Sequence, residues 1–318
     1  MISDVYCARI DVVSTSIERF RADLRRQQVP VRLVAPGCPN AATEKDIWRV
    51  PSRRLPFDPE DRLMRWRPLL SAAEQAAGDD IDLVHVQTPF AAHYAGTRLA
   101  RRLGVPVVTT YHTHFEEYIQ HYLPLLPRPL LKGLARRLAR HQCDSLDAVV
   151  VPSPAMAETL RGYGVGAPLH VLPTGIPVGS FEGGDGQAFR NRHGIPAGRP
   201  LALFVGRVAH EKNIGFLLQA LAHARRQQPE LLLAIAGEGP ALAGLRREAA
   251  DLGLTEHVHF VGYLDRQQEL PDCYAAADVF VFSSRTETQG LVLLEAMAAG
   301  VPVYALACLG TCSIVDPG

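Results

Sequence analysis

Charged side chains follow apolar runs at several points in this sequence, and their spacing suggests ligand chemistry. The first group is Gly206 and Arg207, then Glu211, Lys212 and Asn213. It sits between an apolar run at residues 201–205 and a helical pattern at 215–227. Gly206 lets a ligand approach the backbone, and the start of the next helix adds positive potential. Arg207 and Lys212 on such a loop suit a diphosphate. A capped helix with two solvated cations would use the same residues. The second group follows the apolar run at 279–282: Glu287 in a polar loop, Gly290 and Leu291 at a helix start, and Glu295 one turn inside. First-turn N–H groups can face an anion. Two carboxylates at different depths can address different hydroxyls of one ligand. Glu295 lies between Leu293, Leu294 and Ala296, Met297, so its surroundings read as buried, and a buried carboxylate needs partners. A helix-dipole Glu with a surface Glu295 is the simpler alternative.

The third group follows residues 105–110: Tyr111, His112, Thr113 and His114, then Glu116 and Glu117. His112 would stand at the mouth of a strand. A capping turn explains the same residues. A metal held by His112, His114 and His121 is a further alternative, but the spacing matches no closed ligand set, so no metal is assigned.

These loops need strands and helices to aim them. Short runs rich in Val, Ile and Leu at residues 31–35, 83–86, 105–110, 148–151 and 170–172 alternate with helical patterns at 17–27 and 91–103. The stretch 174–200 is rich in Gly and Pro and reads as a linker with a short helix near 187–193. Alternation restarts with strands at 201–205, 231–236, 258–261, 279–282 and 301–306, separated by helices at 215–227, 241–252 and 291–299. Such alternation is the mark of βαβ units. The expected fold class is α/β: two Rossmann-like, doubly wound domains facing across a cleft, with boundaries 1–176 and 177–318. The turn Gly237, Glu238, Gly239 has Leu242 in place of the third glycine of a dinucleotide fingerprint, so a dehydrogenase is a weak reading.

The chain has 318 residues, 47% hydrophobic and 21% charged, which fits two globular domains and excludes a disordered chain. Lys+Arg and Asp+Glu are both 33. That balance argues against a nucleic-acid partner. Six cysteines are too few for a disulfide scaffold and read as thiols in a reducing cytoplasm. No secretory leader is expected from the first residues. One local imbalance remains: residues 118–143 contain no Asp or Glu. Within it Arg128, Lys132, Arg136, Arg137 and Arg140 are interleaved with Leu130, Leu131, Leu134 and Leu138. The rows 132/136/140 and 130/134/138 lie roughly opposite on a helix. A basic amphipathic helix there would meet an anionic membrane surface, while a solvated helix face is the alternative.

Taken together, Gly206 and Arg207, Glu211 to Asn213, and Glu287 with seven residues before Glu295, then Ala296, Met297, Gly300, Pro302 and Val303, closely resemble the retaining glycosyltransferases of the GT-B fold, family 4. The look is nearest to lipid-directed bacterial members, and the resemblance spans nearly the whole chain. It implies a hexosyltransferase that takes a UDP- or GDP-sugar as donor substrate and requires no cofactor. Arg207 and Lys212 would neutralise the diphosphate, Glu287 hold donor-sugar hydroxyls and Glu295 the ribose. The backbone of Gly206, Gly290 and Leu291, with the turn at Gly237, would lie along the nucleotide. His112 would contact the reacting sugar. The first domain would bind a lipid or saccharide acceptor, placing the protein in the cytoplasm, peripheral on the inner face of the cell membrane. Two departures bear on activity. Val12 stands where relatives commonly have glycine, and the chain reads as truncated at both ends. An inactive relative that only binds nucleotide sugar, and a GT-B nucleotide-sugar epimerase, are therefore the alternative functions.

Overall fold

The computed structural model describes residues 1–6, 12–38, 44–55, 58–112, 116, 127–266 and 268–315. It divides into two compact units, Met1–Gly175 and Ile176–Gly318.

In the first unit, strands β1 (Leu33–Pro36) and β2 (Ile47–Val50) pair in parallel. So do β5 (Val84–Val86), β6 (Val107–Thr110), β7 (Ala148–Val151) and β8 (Leu169–Val171), in that order. Ile2 bridges both Val34 and Val86 in parallel, which joins the two sets. Between β2 and β5 come an antiparallel hairpin, β3 (Ser52–Leu55) with β4 (Asp58–Met64), and helix α2 (Trp66–Ala77). The remaining helices are α1 (Val12–Arg26), α3 (Ala91–Leu103), α4 (Arg128–Cys143) and α5 (Pro154–Gly162). One core joins Val34, Val84 and Val86 of the strands to Leu69 and Ala73 of α2 and Ala92, Ala95 and Leu99 of α3. Fully burying each Val or Leu contributes about 1.5–3 kcal/mol. Close approach of α3 needs Gly96, since a Cβ there would lie 2.5 Å from Val86 Cγ2.

The second unit contains α6 (Gly186–Arg192), β9 (Leu201–Val205), α7 (Ile214–Ala224), β10 (Leu232–Ala236), α8 (Leu242–Asp251), β11 (Val258–Gly262), α9 (Glu269–Ala275), β12 (Val279–Phe282), α10 (Leu291–Ala298) and β13 (Val303–Ala305). Its sheet is parallel in the order β11-β10-β9-β12-β13. β9 and β10 are buried at every position, as expected of unbroken apolar strands covered on both faces. Strand order reverses between β9 and β12. Ligands of open α/β sheets lie outside the carboxyl ends of strands at such a switch point.

The expected α/β alternation is present in both units. Pro106 trims the strand expected at 105–110, because proline cannot donate to a ladder. The hairpin β3–β4 was not expected: residues 51–65 carry Pro, Arg and Asp with little apolar alternation. The linker reading of 174–200 needs correction. Phe181 and Phe189 are buried, and Arg190 donates to Ala276 O at 2.8 and 3.0 Å. Most of that stretch is therefore packed onto the second unit. The thiol reading holds for Cys143, Cys273, Cys308 and Cys312, whereas Cys38 is disulfide-bonded.

Candidate functional site

In the second unit, two loops meet at the switch point. The loop after β9 ends in a short 3-10 turn, His210–Lys212. The loop after β12 carries Glu287. Lys212 Nζ donates to Glu287 Oε1, although 75 residues separate them. Their side chains are 15% and 7% exposed, so water screens the pair little. The pair is positioned from beneath. Ser283, fully buried, donates its hydroxyl to the carbonyls of Lys212 and Asn213, each at 3.0 Å. Asn213 takes the left-handed conformation, φ 55°, that ends the turn. Gly310 N–H donates to Glu287 O at 2.8 Å. A Cβ at residue 310 would lie 2.2 Å from Thr288 O, so only glycine fits there.

Arg207 is half-buried on the same loop. Gly206 N–H donates to Ala236 O at 3.0 Å, and Val208 N–H to Glu238 O at 2.8 Å. Thus the Gly237 turn packs directly on the Gly206 loop. A Cβ on Gly237 would lie 2.0 Å from Gly206 O. Gly290 (φ 91°) precedes α10, whose first residue, Leu291, is buried. Glu295 is fully buried, with both oxygens engaged: Arg266 donates to Oε1, and Tyr274 Oη donates to Oε2 at 2.9 Å. Burial, then the nearby Glu295 charge, raises the Tyr274 phenol pKa well above its ordinary value.

In the first unit, His112 follows β6 and is buried. Its Nε2 lies 2.8 Å from Gln87 Oε1, just past β5. Burial lowers the His112 pKa to about 4, so the ring is neutral near pH 7. His114 and His121 lie outside the described residues. Among the described residues no group of three or more His, Cys, Asp or Glu could hold a metal ion. Val12 opens α1. In the second turn of that helix, Ser16 Oγ lies 2.9 Å from Thr174 Oγ1.

Helix α4 forms where the basic pattern predicts it, but its faces are distributed differently. Leu131, Ala135 and Ala139 face the core. Leu130, Leu134 and Leu138 are 61%, 53% and 38% exposed. Glu116 accepts from Arg136 Nε at 2.9 Å and Nη2 at 2.8 Å, and from Tyr163 Oη at 2.6 Å. Lys132 Nζ lies 3.5 Å from Glu116 as well. Although burial alone would raise it, these hydrogen bonds and charges hold the Glu116 carboxyl down to about 2. Arg140 Nε lies 3.4 Å from Asp144, so three of the basic residues already have an acidic partner. No helix among the described residues is long and apolar enough to cross a membrane.

Residues that sequence reasoning did not single out are Gln87, Arg266, Tyr274 and Gly310. Gln87 carried one legible signal, since it follows its strand as His112 follows the neighbouring one.

Two Rossmann-like units, the second with a Lys–Glu pair at its switch point, define a glycosyltransferase of the GT-B fold. The solved structure of Anabaena HepE in complex with UDP and glucose has the same fold, with TM-score 0.71 at 19% identity over 100% of this chain and 83% of that one. Residues 13–180 match Glycosyltransferase Family 4 and residues 185–318 match glycosyl transferases group 1. The chain is 33% identical to the alpha-monoglucosyldiacylglycerol synthase of Streptococcus pneumoniae, over 96% of this chain and 70% of that protein. It is 29% identical to the GDP-mannose-dependent alpha-mannosyltransferase of Mycobacterium tuberculosis, over 100% of this chain and 81% of that protein. The chain belongs to the family 4 glycosyltransferases.

Proposed function

We propose that the protein moves a hexose from a UDP- or GDP-sugar to a hydroxyl of a lipid or saccharide, forming an α-glycosidic bond with retention. The observation that carries this reading is the Lys212–Glu287 pair at the switch point of the second unit. A diphosphate entering there takes over Lys212 and releases Glu287 to accept from the sugar hydroxyls. Arg207 and Lys212 then stabilise the negative charge that grows on the leaving diphosphate as its bond to the sugar breaks. First-turn N–H groups at Gly290 and Leu291 add to this, with the Gly206 and Gly237 backbone along the nucleotide. Fixed cations and a helix start supply the charge stabilisation that a metal would otherwise give. Glu295 accepts from the ribose hydroxyls, exchanging them for one of its present donors. Neutral His112 is assigned to a donor hydroxyl.

In this reading residues 177–318 hold the donor and residues 1–176 the acceptor. The names of the two relatives, a glucosyldiacylglycerol synthase and an α-mannosyltransferase, support a lipid acceptor, an α product and a nucleotide-sugar donor. The exposed leucines of α4, beside exposed Arg137 and Arg140, support work at the cytoplasmic face of an anionic membrane. The test is turnover by the purified chain with UDP-glucose or GDP-mannose and vesicles containing diacylglycerol. An α-linked product, read from the anomeric coupling, is expected. A β-linked product would overturn retention. Isomerised donor without acceptor product would indicate an epimerase, and donor binding without turnover a binding-only relative.

A further inference from the structure

A second cationic cluster lies at the carboxyl edge of the first unit's sheet, outside the residues assigned above. Tyr6 follows the Ile2 bridge, Pro36 ends β1, and Arg49 is the penultimate residue of β2. Arg21 of α1 and Arg49 both approach the Tyr6 ring, with Cζ atoms 5.9 and 5.2 Å from its centroid. Arg21 donates to Tyr6 Oη at 3.0 Å. Arg49 Nη1 donates to Tyr6 O at 2.7 Å and Pro36 O at 3.1 Å. One residue on, Arg62 Nη1 donates to Gly37 O at 2.9 Å and Ser52 Oγ at 3.2 Å. Arg49 and Arg62 thus hold consecutive carbonyls.

Arg21 has Glu44 as its ion-pair partner, and the same carboxylate adds its charge near Arg49. Neither Arg49 nor Arg62 has a carboxylate partner among the described residues. Glu44 is paired with Arg21 at 3.1 Å, and Asp46 with Arg25 at 3.2 Å. A clamp on carbonyl oxygens requires a donor but no charge, and a neutral amide would serve. Two half-buried cations with no carboxylate in direct contact among the described residues are costly to hold, and the cost falls when an anion arrives. Because the carbonyls fix each fork, little side-chain freedom remains to be lost on binding. Planar guanidinium groups held this way match the paired oxygens of a phosphate. The location also fits, since the carboxyl edge of an open parallel sheet is where ligands lie.

We propose that Arg49 and Arg62, braced by Tyr6 and Arg21, form an oxyanion subsite that takes a phosphate ester carried by the acceptor. This rests on the reading that the first unit holds the acceptor. The experiment measures binding of inorganic phosphate and glycerol 1-phosphate to the full chain by isothermal titration. It uses wild type, Arg49→Gln, Arg62→Gln and, to remove the donor-site cation, Lys212→Ala. Glutamine keeps a donor for the carbonyls and removes the charge. Arg62→Gln and Arg49→Gln are each expected to weaken phosphate-ester binding about tenfold and to leave UDP binding unchanged. Lys212→Ala is expected to weaken UDP binding and keep the phosphate ester. Vesicles containing phosphatidic acid, compared with soluble glycerol 1-phosphate, tell a lipid headgroup from a soluble ester. Phosphate binding that is equal in wild type and Arg62→Gln, or that disappears in Lys212→Ala, would overturn the subsite. Should Arg49→Gln fail to fold, Arg62→Gln decides alone, because Arg62 lies on the hairpin and outside the core. Normal UDP binding alongside a failed phosphate result would leave the donor reading standing.

Discussion

His112 Nε2 and Gln87 Oε1 lie 2.8 Å apart at the ends of adjacent strands, both buried. With the amide oxygen turned to the ring, Nε2 carries the proton and Nδ1 is left as the acceptor. Gln87 thereby sets which face of the imidazole can accept. Gln87→Leu removes that acceptor from the ring N–H, and kcat is expected to fall about tenfold or more, with UDP affinity unchanged. Gln87→Glu places a carboxylate against the ring and raises the His112 pKa from about 4. The acid limb of the kcat–pH profile should then move to higher pH. An unmoved profile would show that Gln87 does not act through His112.

Buried histidines also set the acid sensitivity of the fold. Burial lowers His112 to about 4 and His85 to about 3, and for His85 nearby positive charge adds to the effect. Unfolded histidine titrates near 6.5. Between the two values the unfolded chain binds more protons, so stability falls as pH falls through that window. It is fully present above about pH 6.5, and each ring gives a slope of up to about 1.4 kcal/mol per pH unit below it. The melting temperature should drop between pH 7 and 5, and His112→Asn should flatten part of that drop.

The Lys212–Glu287 pair yields opposite effects on binding and turnover. Glu287→Gln frees Lys212 for the diphosphate, so UDP should bind several-fold tighter, on the order of 1 kcal/mol. Transfer should nevertheless fall by about a hundredfold or more, because the sugar loses its acceptor group and the transition state its orientation. Lys212→Ala should weaken both, and it leaves Glu287 nearly buried without its cation. Calorimetry with UDP and steady-state rates separate the two effects. Weaker UDP binding by Glu287→Gln would sink the exchange mechanism.

Both loops of this pair were legible in the sequence, because strand–loop–helix context and cation or carboxylate type occur together at Lys212 and Glu287. Their mutual contact was not, since it depends on β9 and β12 being neighbours in a sheet whose order the sequence does not display. The burial of Glu295 was legible from its apolar flanks. Its partners Arg266 and Tyr274 were not, because they lie on another segment with no motif of their own. The glycines at 237 and 310 show the same limit. Gly237 read as part of a nucleotide turn, yet the contact that requires it is with Gly206 O. Hairpin β3–β4 escaped notice because its register rests on pairing rather than on a hydrophobic face.

Glycine contacts of this kind predict a stability cost. Gly310→Ala would push a Cβ to 2.2 Å from Thr288 O, a backbone atom that cannot swing away. The loop carrying Glu287 must shift, at about 1–3 kcal/mol. A lower melting temperature with weaker UDP binding is expected. Gly133→Ala, with nothing near its Cβ inside α4, is the control and should be neutral or slightly stabilising. Equal melting temperatures for Gly310→Ala and wild type would show that the loop is not held from below.

Helix α4 separates two roles that its sequence pattern merges. Arg136 and Lys132 sit on Glu116, whose side chain is 5% exposed, whereas exposed Arg137 lies beside the row of exposed leucines. Neutralising Arg136 leaves a nearly buried carboxylate short of its strongest partner. Arg136→Gln should therefore lower the melting temperature. Arg137→Gln touches no such pair and should leave stability within about 0.5 kcal/mol. On vesicles rich in phosphatidylglycerol the order reverses. Each Arg near the surface is worth about 1 kcal/mol, so Arg137→Gln should weaken binding roughly fivefold. Leu134→Glu, at 53% exposure, should abolish most vesicle binding and keep the fold, while Ala135→Glu on the buried face should unfold the unit. Co-sedimentation and thermal melts of the four variants distinguish a membrane face from a solvated one. Vesicle binding that survives Leu134→Glu, or that ignores salt, would rule out docking through this helix.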